Sequence, residues 1–151
     1  MTERTAEEWG WVAVNLPGWD WLPGMGLLPL PETIRQNERR QENTGEYRYA
    51  GYSNLSEIVT HLRPSYVRKQ VNLVSGRYSP IWAYFALDPD DPATEGCLVR
   101  LLGPSFEAVW YTNDCDRWVV AVGDERRLYT SLGRACIAAA EALGRWPGGN
   151  T

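Results

Sequence analysis

The chain is expected to fold as an α+β domain: an antiparallel sheet with two helices packed on one face, a two-layer sandwich, plus a polar central elaboration. Three observations predict this. Segments 93–102 and 131–143 repeat apolar residues at helical spacing. Segments 106–111 and 117–122 read as the arms of a hairpin around the polar run 112–116. The regular strand–helix alternation that builds parallel sheets does not occur.

Taken in order, the opening reads as extended chain. Trp9, Trp11, Ala13 and Asn15 alternate with Gly10, Val12 and Val14, a period near two that suits a strand. Pro17-Gly18 turns the chain, and Trp19 and Trp21 flank Asp20 in a short extended piece closed by Pro23-Gly24. Segment 27–31 is apolar but holds two prolines, which predicts a packed connector or an edge segment. Segment 32–42 is a candidate polar helix with Ile34 as its one large apolar residue. Segment 56–62 predicts a short helix that carries His61 and is stopped by Pro64, while 66–73 is strand or irregular. Aromatic-rich 81–87 predicts a buried strand.

The last third carries the clearest punctuation. Asp91-Pro92 is a helix start, with a capping carboxylate followed by a first-turn proline. Ala93, Cys97, Leu98, Leu101 and Leu102 form one stripe, Gly96 is expected to permit close packing on the sheet, and Gly103-Pro104 stops the helix. In the hairpin, Trp118, Val120 and Val122 share one face, with Val119 and Ala121 opposite. Segment 127–130 adds a short strand. Leu132, Ala135, Cys136, Ala139 and Leu143 define the second helix, and Gly144 lies past its end.

Composition bounds the function. The 151 residues suit a single domain spanning 1–151, 44% apolar and 23% charged, as in folded proteins and unlike disordered ones. No apolar run approaches a membrane span, and the polar, acidic start is unlike a secretory signal, so a cytoplasmic location with no membrane partner is expected. Cys97, Cys115 and Cys136 form no paired-thiol motif, and the first and last fall on helical apolar stripes. The net charge of −4 argues against a surface that wraps nucleic acid throughout.

Stretch 33–80 differs from its surroundings and reads as an elaboration inserted within the domain. It lacks tryptophan and sets eight cations against four glutamates. Here Arg35, Arg39, Arg40, Arg48, Arg63, Arg68, Lys69 and Arg77 interleave with Tyr47, Tyr49, Tyr52, Tyr66 and Tyr78. Arginine and tyrosine are the residue types of protein hot spots, and also of phosphate neutralisation with base stacking. A solvated charged surface with glutamate–arginine pairs is the plain reading.

Two local patterns stand out: Trp19-Asp20-Trp21-Leu22-Pro23-Gly24-Met25 and Asp91-Pro92-Ala93-Thr94-Glu95-Gly96-Cys97-Leu98. Together they resemble the W-x-W-x-P-G-M and D-P-x-T-x-G-C-L segments of small proteins encoded by bacteriophages and prophages. The resemblance skips the central stretch. It implies a phage-related origin and fold and attaches no catalytic residues.

The chemistry-bearing constellations are sparse. His61 is the one histidine and has no nucleophile-elbow serine nearby. Asp88, Asp90 and Asp91, like Asn113, Asp114 and Asp116, suit turns and caps, with oxygen-ligated metal binding as the alternative. No cofactor, metal or catalytic residue is expected. The expected function is non-catalytic binding to a host macromolecule, preferably a protein. Candidate binding residues are Arg35, Arg39, Arg40, Tyr47, Arg48, Tyr49, Tyr52, Tyr66 and Arg68, with Trp19 and Trp21 as a candidate ring-stacking pair. The alternatives are a nucleic-acid-binding protein using 33–80 and a small hydrolase or metal-dependent enzyme using His61 and the acidic loops. Self-association is open.

Overall fold

A computed structural model describes residues 3–30, 53–55, 60–63, 65–71 and 81–149. Among them the order is α1 (Ala6–Asn15), β1 (Gly26–Pro29), β2 (Ser53–Asn54), β3 (Thr60–Leu62), β4 (Val67–Val71), β5 (Ile81–Leu87), α2 (Pro92–Leu102), a 3-10 segment (Gly103–Ala108), β6 (Val109–Thr112), β7 (Arg117–Val122), β8 (Glu125–Tyr129) and α3 (Leu132–Leu143). The α+β class is as expected. The strands divide between two antiparallel sheets, ordered β2-β1-β5-β4-β3 and β6-β7-β8, instead of forming one.

The opening segment is a helix, which corrects the strand expected there. Thr5 and Glu8 close a reciprocal capping box: the Glu8 N–H donates to Thr5 Oγ1, and the Thr5 N–H points back to the Glu8 carboxylate. Trp9, Gly10, Ala13 and Val14 are buried at helical spacing, whereas Trp11 is exposed. The apparent alternation of the two tryptophans therefore separates an inward ring from an outward one.

Segment 27–31 also differs from expectation. Strand β1 lies inside its sheet, between β2 and β5, with Pro29 at its last position. Thr60–Leu62, expected as the end of a helix bearing His61, is strand β3 in register with β4; residues 56–59 lie outside the described set. The candidate helix 32–42 lies outside it as well. Strands β3 and β4, both within 33–80, extend the sheet built on β5. Residues Phe106 to Ala108 belong to the 3-10 segment, so the first hairpin arm is shorter than expected.

Helices α2 and α3 start and stop where their punctuation predicts. The Asp91 carboxylate accepts from the Ala93 N–H, and Ser131 Oγ accepts from the Arg134 N–H. Helix α3 packs on β7 and on α1 and α2, and those two helices reach the other sheet at β5 and β1. Its alanine-rich face allows this, with Ala135, Cys136, Ile137, Ala138, Ala139 and Ala140 all buried. Gly133 approaches the Pro89 carbonyl so closely that any Cβ would collide. Gly96, by contrast, is exposed and a Cβ there would meet nothing, so it is not the packing glycine expected.

The core holds Trp9, Met25, Phe85, Leu87, Leu98, Leu102, Val120, Ile137 and Trp146. Trp146 is fully buried; its Nε1–H donates to the Ala13 carbonyl at 2.9 Å and its backbone N–H to Pro17 at 2.8 Å. Among the described residues no helix is long and apolar enough to cross a membrane.

Candidate functional site

The two motif segments are structural partners. The Gly26 N–H, next to Met25, donates to Thr94 Oγ1 at 2.7 Å in the interior, and Thr94 is fully buried. Cys97 Sγ lies 3.8 Å from the Pro23 carbonyl oxygen. Trp21 is buried and donates its Nε1–H to the Arg63 carbonyl at 3.0 Å. Trp19, half-buried, meets Trp21 edge-on at 5.3 Å and tilts against Trp146 at 5.8 Å. The Gly26–Thr94 and Pro23–Cys97 contacts hold the turn before β1 on α2, while the two indoles anchor it to Arg63 and Trp146. Their spacing is explained by packing.

Of the central candidates, Arg35, Arg39, Arg40, Tyr47, Arg48, Tyr49 and Tyr52 lie outside the described residues. Tyr66 and Arg68 come together around Tyr84: the two tyrosine rings are 5.9 Å apart, and Arg68 is the cross-strand neighbour of Tyr84. Both are half-buried. By alternation they lie opposite Val67 and Lys69, which face the core. Lys69, counted with the surface cations from sequence, is thus buried, and burial lowers its ammonium pKa.

The acidic loop is engaged by protein groups. Asp88 accepts from the Asp90 N–H at 3.0 Å, and burial raises its pKa more than that bond lowers it. Burial also opposes ionisation of Asp90, but Ser131 Oγ at 2.7 Å and a bidentate Arg134 at 3.0 and 2.9 Å outweigh it. Glu95, raised by burial, accepts from the Gly133 N–H at 3.1 Å. In the other loop Asp116 accepts from the Tyr111 hydroxyl. Among the described residues no group of three or more His, Cys, Asp or Glu side chains is placed to hold a metal ion.

The surface that sequence reading missed is the outward face of the three-stranded sheet. Cross-strand register puts Trp110, Val119 and Leu128 in one row, Thr112 beside Arg117, and Ala121 beside Arg126. The opposite face, with Val109, Trp118, Val120 and Tyr129, packs toward the core. Trp110 is 40% and Leu128 57% exposed, yet Val119 between them is only 6% exposed and stands outside the core cluster. The Arg126 guanidinium lies 5.5 Å from the Trp110 ring centre. Both charged strand positions on this face, 117 and 126, are arginines, and neither pairs with a carboxylate among the described residues.

Ala121 also lines an open groove of about 490 Å³ between the 3-10 segment, the end of β7 and the C-terminal half of α3, lined further by Ser105, Glu107 and Leu143. The signal that could have found this face was present: the alternation assigned to Trp118–Val122, carried across the hairpin, sets Trp110 opposite Val119. Comparison with family models, curated proteins and solved structures finds no match to this chain.

Proposed function

We propose that this protein acts by non-catalytic binding to a protein partner, through the outward face of β6-β7-β8. The observation that carries this reading is the row in which exposed Trp110 and Leu128 flank Val119, bordered by Arg117 and Arg126. An indole, an aliphatic neighbour and arginines with free donors are the side chains that anchor protein interfaces. On a chain of net charge −4, a face whose charged positions are both arginine selects a partner segment that mixes apolar and acidic residues. Nucleic acid fits less well. Asp114 and Asp116 at one end of the hairpins, and Asp124 at the other, would repel a phosphate chain running past the face.

The test compares the wild type with the double variant Arg126→Glu, Leu128→Glu, both at exposed β8 positions. Immobilised wild type is expected to retain a defined protein that the folded variant loses at least tenfold. Equal capture by both proteins would refute the reading. Retention of nucleic acid at low salt, lost at high salt and in the variant, would transfer the face to the nucleic-acid alternative.

A further inference from the structure

We propose that the outer edge of β6 pairs antiparallel with the same edge of a second copy of this chain, joining two three-stranded sheets into one of six strands. The two edges of the sheet differ. Strand β8 reads Glu-Arg-Arg-Leu-Tyr and carries three charges, with Glu125, Arg126 and Arg127 all exposed. Such charges guard an edge against pairing. Strand β6 reads Val-Trp-Tyr-Thr and carries none, although Trp110 and Tyr111 are 40% and 43% exposed, one on each face. Residues of high strand propensity at an unguarded edge form a template for another strand. Among the described residues β6 pairs only with β7.

A second copy is the occupant that this edge fits. A two-fold axis perpendicular to the sheet keeps the outward faces on the same side and makes the contact self-complementary. Centred on Trp110, it runs the Leu128–Val119–Trp110 row into the same row of the second copy, so each indole covers the other. No like charges meet at the seam. Arg117 and Arg126 of different copies sit four strand spacings apart, about 19 Å at the usual inter-strand distance. In this register Val109, Trp110 and Tyr111 of each copy face one another, a small contact, so the dimer is reversible and concentration-dependent.

Sedimentation of the full chain tests this. The mass is expected to rise from 17.1 kDa toward twice that value with concentration. Trp110→Lys, which sets two ammonium groups at the axis, should weaken association at least tenfold. Thr112→Lys charges the same edge and serves if Trp110→Lys fails to fold. Arg126→Glu, Leu128→Glu should leave the dimer intact while abolishing partner capture, which separates this inference from the proposed function. A monomer at all concentrations, growth beyond a dimer, or a dimer indifferent to the folded edge variant would overturn it.

Discussion

Thr94 shows how much a single hydroxyl does here. It is fully buried, and its oxygen takes the Gly26 N–H at the start of β1. Replacing it with valine keeps the shape but leaves that donor buried and unsatisfied, which should cost about 1–3 kcal/mol in urea unfolding. The cysteines offer a second check at this scale. Burial pushes the Cys136 thiol up to about 12, with Glu95 adding to the shift, and burial also raises Cys97. Cys115 is exposed. A thiol reagent at mildly alkaline pH should therefore titrate one cysteine rapidly in the native protein and all three after denaturation. The sequence placed Cys97 and Cys136 on buried stripes correctly. It could not place Lys69, because a lone cation in an alternating strand gives no sign of which face is covered.

At the scale of elements, the start of α3 is joined to the loop before α2 by the Asp90, Ser131 and Arg134 bonds. The folded pKa of Asp90 is held below 3.8, so this linkage contributes stability above that pH and loses it as pH falls through the folded value. Arg134→Met should lower the unfolding free energy at about pH 5 by roughly 1 kcal/mol, and the difference from wild type should shrink as the pH falls through the folded pKa of Asp90. Glu95 has the opposite sign. Its folded pKa is raised above 4.5, so stability is gained as pH falls through that value, and Glu95→Gln should flatten the gain. The helices α2 and α3 were legible because Asp91-Pro92, Gly103-Pro104, Ser131 and Gly144 are chemical caps. Helix α1 was read as strand because Trp9 and Trp11 mimic a period of two. Its true signal was the Thr5-x-x-Glu8 box, worth about 1 kcal/mol if Thr5→Ala removes it. Thr60–Leu62 was drawn into a helix by the neighbouring Ile58 and Val59, although β-branched residues favour the strand it joins.

Across the whole molecule, α3 covers the three-stranded sheet while α1 and α2 meet β5 and β1 of the other. Because α3 packs on β7 as well as on α1 and α2, the inward face of β6-β7-β8 is taken, while Trp110 and Leu128 on the outward face stay exposed. The alternation of β7 was readable from sequence, but the division into two sheets was not, since pairing across long separations leaves no local pattern. The same gap hid the relation between the motifs around Gly26 and Thr94, which are 68 residues apart. The most direct test of the outward face is site-specific photocrosslinking. A photoreactive residue at Leu128 should give a protein adduct, while the same residue at Glu7, on the exposed side of α1, should give none. Adducts of equal yield at both positions, or none at Leu128, would contradict the account.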